Sequence, residues 1–152
     1  RRLYGMYARE LFLAGEARDF LEAENYFRAE VSSPDRSADE ITEGCCVAAR
    51  AARLRGAAVT FFKYTSKVIA GDGCSEICCE LGYFYEETGD FEEAAVWYYN
   101  AAYETQPVLA LRSSEEEPLQ GLIRCYEHLG LPAQARSYAE ELKHRQNEQT
   151  DN

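Results

Sequence analysis

The stretch that decides the fold is Cys78-Cys79-Glu80-Leu81-Gly82-Tyr83-Phe84-Tyr85, continued by Gly89-Asp90-Phe91-Glu92-Glu93-Ala94 and Trp97-Tyr98-Tyr99. Apolar residues recur at helical spacing on both sides of Gly89-Asp90, and period-2 alternation bounded by hairpin turns is absent. The reading is helix, tight turn, helix. Gly82 on the first helix and Ala94 on the second are small enough for the two to lie close, while Tyr85 and Tyr98 fill the space between successive pairs.

The same frame recurs outward from this centre. Downstream come Leu119, Leu122, Ile123 and Tyr126, a turn at Gly130-Leu131-Pro132, then Ala135 and Ala139. Upstream, Cys45, Ala48, Ala49 and Ala52 lead to a turn at Gly56, after which Phe61, Phe62 and Tyr64 bring bulk in place of a small residue. A first copy runs Tyr4, Tyr7, Ala8, Leu11 to a turn near Gly15, with Ala23 and Phe27 arriving three residues late. Gly56 and Gly89 lie 33 positions apart and Gly89 and Gly130 lie 41 apart, which puts an insertion in the loop carrying Pro107, Ser113 and Ser114. Ser37-x-x-Glu40 reads as a capping box, Ser75 as a helix cap, and Pro118 and Pro132 as first-turn residues. The order of large residue, Leu-Gly, Tyr and then Ala-x3-aromatic resembles the tetratricopeptide repeat of about 34 residues, with Cys78 in place of its opening tryptophan. The expected fold is all-α: a right-handed α-solenoid of about four antiparallel helix pairs, about eight helices in all. It forms one domain over 1–148, with repeats at 1–34, 38–71, 75–107 and 115–147 and a polar tail at 149–152.

At 152 residues the chain has the length of one domain, able to bury about 68–70% of its unfolded surface. A content of 46% hydrophobic and 28% charged residues argues for a globular protein rather than disorder. Sixteen bases against 27 acids give a formal charge of −11, which opposes binding to nucleic acid or to anionic lipid headgroups. No apolar run reaches the ~20 residues of a membrane span, so direct membrane insertion is not expected and the cytoplasm is the expected setting. The opening Arg1-Arg2-Leu3-Tyr4 and the single methionine, Met6, suggest a piece of a longer chain.

Catalytic patterns are not expected. The sequence has no Gly-rich phosphate loop, no Gly-x-Ser-x-Gly and no His-Glu-x-x-His, and its acids read as mostly exposed helix residues. His128 and His144 read as solvated, and the six cysteines, lacking Cys-x2-Cys pairs on turns, as reduced packing residues with no metal or other cofactor. Cys74 and Cys78, four apart on one helical face, are the pair worth testing for redox activity.

Charge carries more information. No base falls between Lys67 and Arg112, where Asp72, Glu76, Glu80, Glu86, Glu87, Asp90, Glu92, Glu93 and Glu104 stand. Such a block is either a solvated face or a docking surface for a basic segment, with Tyr83 and Trp97 to Tyr99 nearby. Helix pairs of this kind line a concave groove with their first helices, which puts Arg9, Phe12, Arg50, Arg53, Tyr83, Glu86, Arg124 and Glu127 on or near it as candidate binding residues. Arg50 and Arg53 share one face and could hold a carboxylate, either a partner's or that of an adjacent helix. On the first alternative, Arg50→Glu with Arg53→Glu leaves the fold intact and weakens partner binding.

Tyr7-Ala8-Arg9-Glu10-Leu11-Phe12, the run Glu76 to Tyr85, Ala95 to Thr105, and Pro118-Leu119 to Cys125-Tyr126-Glu127 are similar to the tetratricopeptide region that follows the catalytic domain in many bacterial family 2 glycosyltransferases. The resemblance implies an accessory role, holding the catalytic domain, an acceptor protein or a second copy of the enzyme. No Asp-x-Asp is present, so neither sugar transfer nor its metal passes to any residue here. The Lys and Asn clamp of chaperone-binding tetratricopeptide domains is also missing, with Gly5 and Ala8 or Arg9 where it would begin. The expected function is a non-catalytic interaction scaffold for a protein, a peptide, a neighbouring domain or a homodimer partner. The alternatives are a free-standing peptide adaptor, and an enzyme using Arg9, Arg50, Arg53 and Glu86 on an anionic sugar donor.

Overall fold

Three turns organise the described residues, and each is built from the same backbone bonds. The structure, a computed structural model, describes Glu24, residues 34–109 and residues 113–150. In these turns Gly56, Gly89 and Gly130 adopt φ of 74°, 84° and 72°, the left-handed region that a side chain resists. Each glycine donates to the carbonyl three residues back, and the residue after it reaches back five: Ala57 to Ala52, Asp90 to Tyr85, Leu131 to Tyr126. The last carbonyls of the preceding helix are thereby satisfied and the chain reverses at once.

The helices so joined are α1 (Ala38–Leu54) with α2 (Ala58–Ile69), α3 (Ser75–Glu87) with α4 (Phe91–Tyr99), and α5 (Ser113–His128) with α6 (Pro132–Thr150). A π-helical turn, Asn100–Glu104, prolongs α4. All six are helical by the periodicity of their apolar residues, and no strand occurs among the described residues. Each pair packs internally, α4 packs on α5, and the first helices form a row in which α1 touches α3 and α3 touches α5. The helices expected within 1–33 lie outside the described residues, apart from the helical Glu24.

Caps follow the sequence in part. Ser37 and Glu40 bond reciprocally, each side chain accepting from the other's backbone N–H at 3.2 Å, and Pro132 opens α6. Ser75 does not cap α3. Cys74 holds that position, and the Ser75 hydroxyl instead lies 3.2 Å from that of Thr105. Pro118 lies inside α5, because the helix begins at Ser113, ahead of the expected start.

Among the described residues the buried interior forms two clusters. The first joins the Ala and Cys face of α1 to Phe61, Tyr64 and Val68 of α2 and to Ile77 and Leu81 of α3. Small residues on α1 let α2 approach closely, and Phe61 fills the junction, stacked on Phe84 at 5.0 Å with Phe62 edge-on to the same ring. Phe61 is fully buried in this core. The second cluster centres on Tyr98, with Ala94, Leu119, Leu122 and Cys125 around it. A Cβ built on Gly82 would come within 2.5 Å of the Tyr98 ring, and one on Gly121 within 2.6 Å. The ring is clasped between α3 and α5 by two glycines.

Candidate functional site

Between α1 and α3 the residues singled out by charge meet inside the molecule. Glu80 lies mid-helix on α3 with 0% exposure, between the buried Cys79 and Leu81. Its carboxylate accepts from Arg50 Nε at 2.5 Å and from Arg53 Nε at 2.7 Å. Arg50 also lies 3.6 Å from Glu117 of α5, and Arg53 bonds Glu87 while its guanidinium sits 4.9 Å over the Tyr83 ring. Burial by itself would raise the Glu80 carboxyl, but the two guanidiniums outweigh it and hold the group below its usual value.

A second network lies between α3 and α5. Glu86 accepts from Arg124 Nε at 2.8 Å, from Arg124 Nη2 at 3.0 Å and from the Tyr98 hydroxyl at 2.6 Å. Desolvation pushes its carboxyl up, yet the Arg124 and Tyr98 bonds bring it below the usual value. Desolvation and the bond to Glu86 push the Tyr98 phenol strongly up, so it stays a donor.

Six of the eight sequence candidates fall among the described residues. Arg50, Arg53 and Tyr83 share the first network, and Glu86 and Arg124 form the second. Glu127 is exposed and joins neither. Arg9 and Phe12 lie outside the described residues. The acids between Lys67 and Arg112 therefore differ in kind. Glu80 and Glu76 are buried, Glu76 accepting from the Val108 and Leu109 backbone at 3.0 and 2.7 Å, whereas Asp90, Glu92, Glu93 and Glu104 face solvent. The expectation of mostly exposed acids fails at Glu76 and Glu80, which are needed to satisfy arginines and a loop backbone.

The cysteines are all free and buried. The Sγ atoms of Cys46 and Cys74 lie 3.7 Å apart across α1 and the start of α3. Burial pushes the Cys45 and Cys78 thiols up to about 11 and Cys125 to about 12. These are packing thiols. Among the described residues no three His, Cys, Asp or Glu side chains are grouped to hold a metal ion. None of the described helices is long and apolar enough to cross a membrane.

The open surface lies elsewhere, along the second helices. A cavity of about 500 Å³ runs between α4, the end of α5 and α6, and its walls include Val96, Tyr99, Tyr126, Leu131 and Tyr138. Tyr126 stacks on Tyr138 at 5.6 Å, Tyr138 lies 6.4 Å from Tyr103, and Tyr103 lies 4.8 Å from Tyr99. The sequence drew attention to Tyr99 but missed Tyr126 and Tyr138 as its companions. A signal was present in their offsets, since Tyr138, like Tyr64 and Trp97, falls eight residues beyond its turn glycine and Tyr126, like Tyr85, falls four before its own. No protein-family model, curated protein or solved structure matches the chain.

Proposed function

We propose that this chain is a non-catalytic interaction scaffold, a right-handed solenoid of tetratricopeptide-like helix pairs. We place it as the C-terminal accessory domain of a bacterial family 2 glycosyltransferase, holding the catalytic domain, an acceptor protein or another subunit. The observation that supports the repeat reading is the identity of the three hairpins. Counted from its turn glycine, each buries the same positions: Cys45, Cys78 and Leu119, then Ala48, Leu81 and Leu122, then Phe61, Ala94 and Ala135. A unit repeated in this way cannot bury its apolar face alone and stacks on its neighbours, leaving long helical faces for partners.

Engagement of Arg50 and Arg53 by Glu80 weighs against the alternative of an enzyme that uses them on an anionic sugar donor. The glycosyltransferase context is tested by sequencing the parent gene upstream of Arg1. An Asp-x-Asp catalytic domain there is the expected result, and a start codon at or just before Arg1 would leave the free-standing adaptor instead. The scaffold reading itself is tested by calorimetry of the purified chain with the adjoining domain of its parent protein. Saturable binding is expected, and none at 100-micromolar concentrations, on the order of the weakest specific contacts, would contradict it.

A further inference from the structure

We infer that the tyrosine-walled groove between α4 and α6 receives an arginine-bearing apolar segment of a partner protein. The inference rests on the interaction-scaffold reading and gives its partner a chemistry. Apolar surface stands open here: Val96 is 53% exposed, Tyr99 42% and Leu131 40%, on facing walls of one cavity. Contiguous apolar surface of this kind is characteristic of contact sites.

The charge of the occupant follows from two features of the groove. Among its lining residues Glu92 alone is charged, it is exposed, and it has no ion-pair partner among the described residues. Tyr103, which stands between Tyr138 and Tyr99 in the same tyrosine row, shows what such a pairing looks like when complete. There Arg145 sits 5.3 Å over the Tyr103 ring, and its Nε donates to Glu141 at 2.9 Å. A guanidinium over an aromatic face with a carboxylate alongside is the arrangement both groups favour. In the groove itself Tyr99, Tyr126 and Tyr138 line the walls with Glu92, and no arginine or lysine is among the lining residues. The molecule's formal charge of −11 draws a basic segment in and repels an acidic one. The volume admits one or two side chains, enough for an arginine and a neighbouring leucine.

The test is a titration of the ¹⁵N-labelled chain with the blocked peptide acetyl-Leu-Arg-Ala-Leu-Arg-amide, followed by amide chemical shifts. Two further peptides carry citrulline or glutamate in place of arginine. The amides of Ala95, Val96, Tyr99, Asn100 and Leu131 are expected to move with the arginine peptide, with binding about tenfold weaker for citrulline and no saturation for glutamate. Glu92→Gln, on an exposed helix position, is expected to remove most of that arginine preference while leaving the fold unchanged. Equal binding of the citrulline peptide, shifts confined to other surfaces, or no shifts at millimolar peptide would each overturn the inference. So would light scattering that finds a dimer together with loss of the response, which would make a second copy the occupant. If the adjoining domain still binds the chain while the arginine peptide does not, this inference falls and the scaffold reading stands.

Discussion

Glu80 shows how a charge can serve a core. Its carboxylate is fully buried, so the two arginines that reach it are structural partners, and removing the charge leaves Arg50 with Glu117 alone and Arg53 with Glu87 alone. Glu80→Gln is expected to cost about 3–5 kcal/mol in urea unfolding, as breaking one side of a buried pair does. An unchanged midpoint would mean that the seam is open to solvent. The pH dependence has a definite sign. Glu80 and Glu86 are both held below the usual glutamate value of 4.5, so the stability they supply is fully present above that pH and is lost as pH falls through their lower folded values. Acid unfolding below pH 4.5 should be visibly less steep in Glu80→Gln than in wild type. Tyr98 is the steric counterpart. Gly82→Ala or Gly121→Ala places a methyl group inside its ring contact and is expected to cost about 1–3 kcal/mol through overpacking, read as a lowered melting temperature.

At the scale of the element, the helix hairpins were legible because local chemistry and periodicity agree. Gly89-Asp90 marks a reversal, and the apolar spacing on either side belongs to helices. The turn glycines differ from Gly82 and Gly121 in what they avoid. At Gly89 nothing lies within 4 Å of an added Cβ, so the constraint is its φ of 84° alone. Gly89→Ala is accordingly expected to lose about 1–2 kcal/mol by backbone strain, without disturbing the Tyr98 ring environment seen by NMR. Shifted Tyr98 ring signals would contradict that separation. Other features had no local signal. The π-helical turn at Asn100–Glu104 is held by the hydroxyl of Thr105 donating to the Asn100 carbonyl and by Ser75 from a different helix. Pro118 looked like a helix start because proline suits first turns, yet the helix extends back to Ser113. A preference at one position does not fix the boundary when neighbouring residues carry the helix past it.

For the whole molecule, the acidic block divides into an internal seam and an external face. Sequence alone could place Arg50 and Arg53 on one side of a helix, but not choose between a partner's carboxylate and Glu80, because the choice depends on how α3 lies against α1. The three described helix pairs then present two different surfaces. The first-helix row is tied by Arg50, Arg53 and Glu80 and by Arg124 and Glu86, while the second helices leave tyrosines and Glu92 open. The measurement that bears most directly on this division is urea unfolding of Arg50→Glu with Arg53→Glu. Three carboxylates would then meet at one buried point, and the chain is expected to fail to fold cooperatively at neutral pH. A variant with the wild-type midpoint and slope would contradict it, returning these arginines to the surface as groove residues.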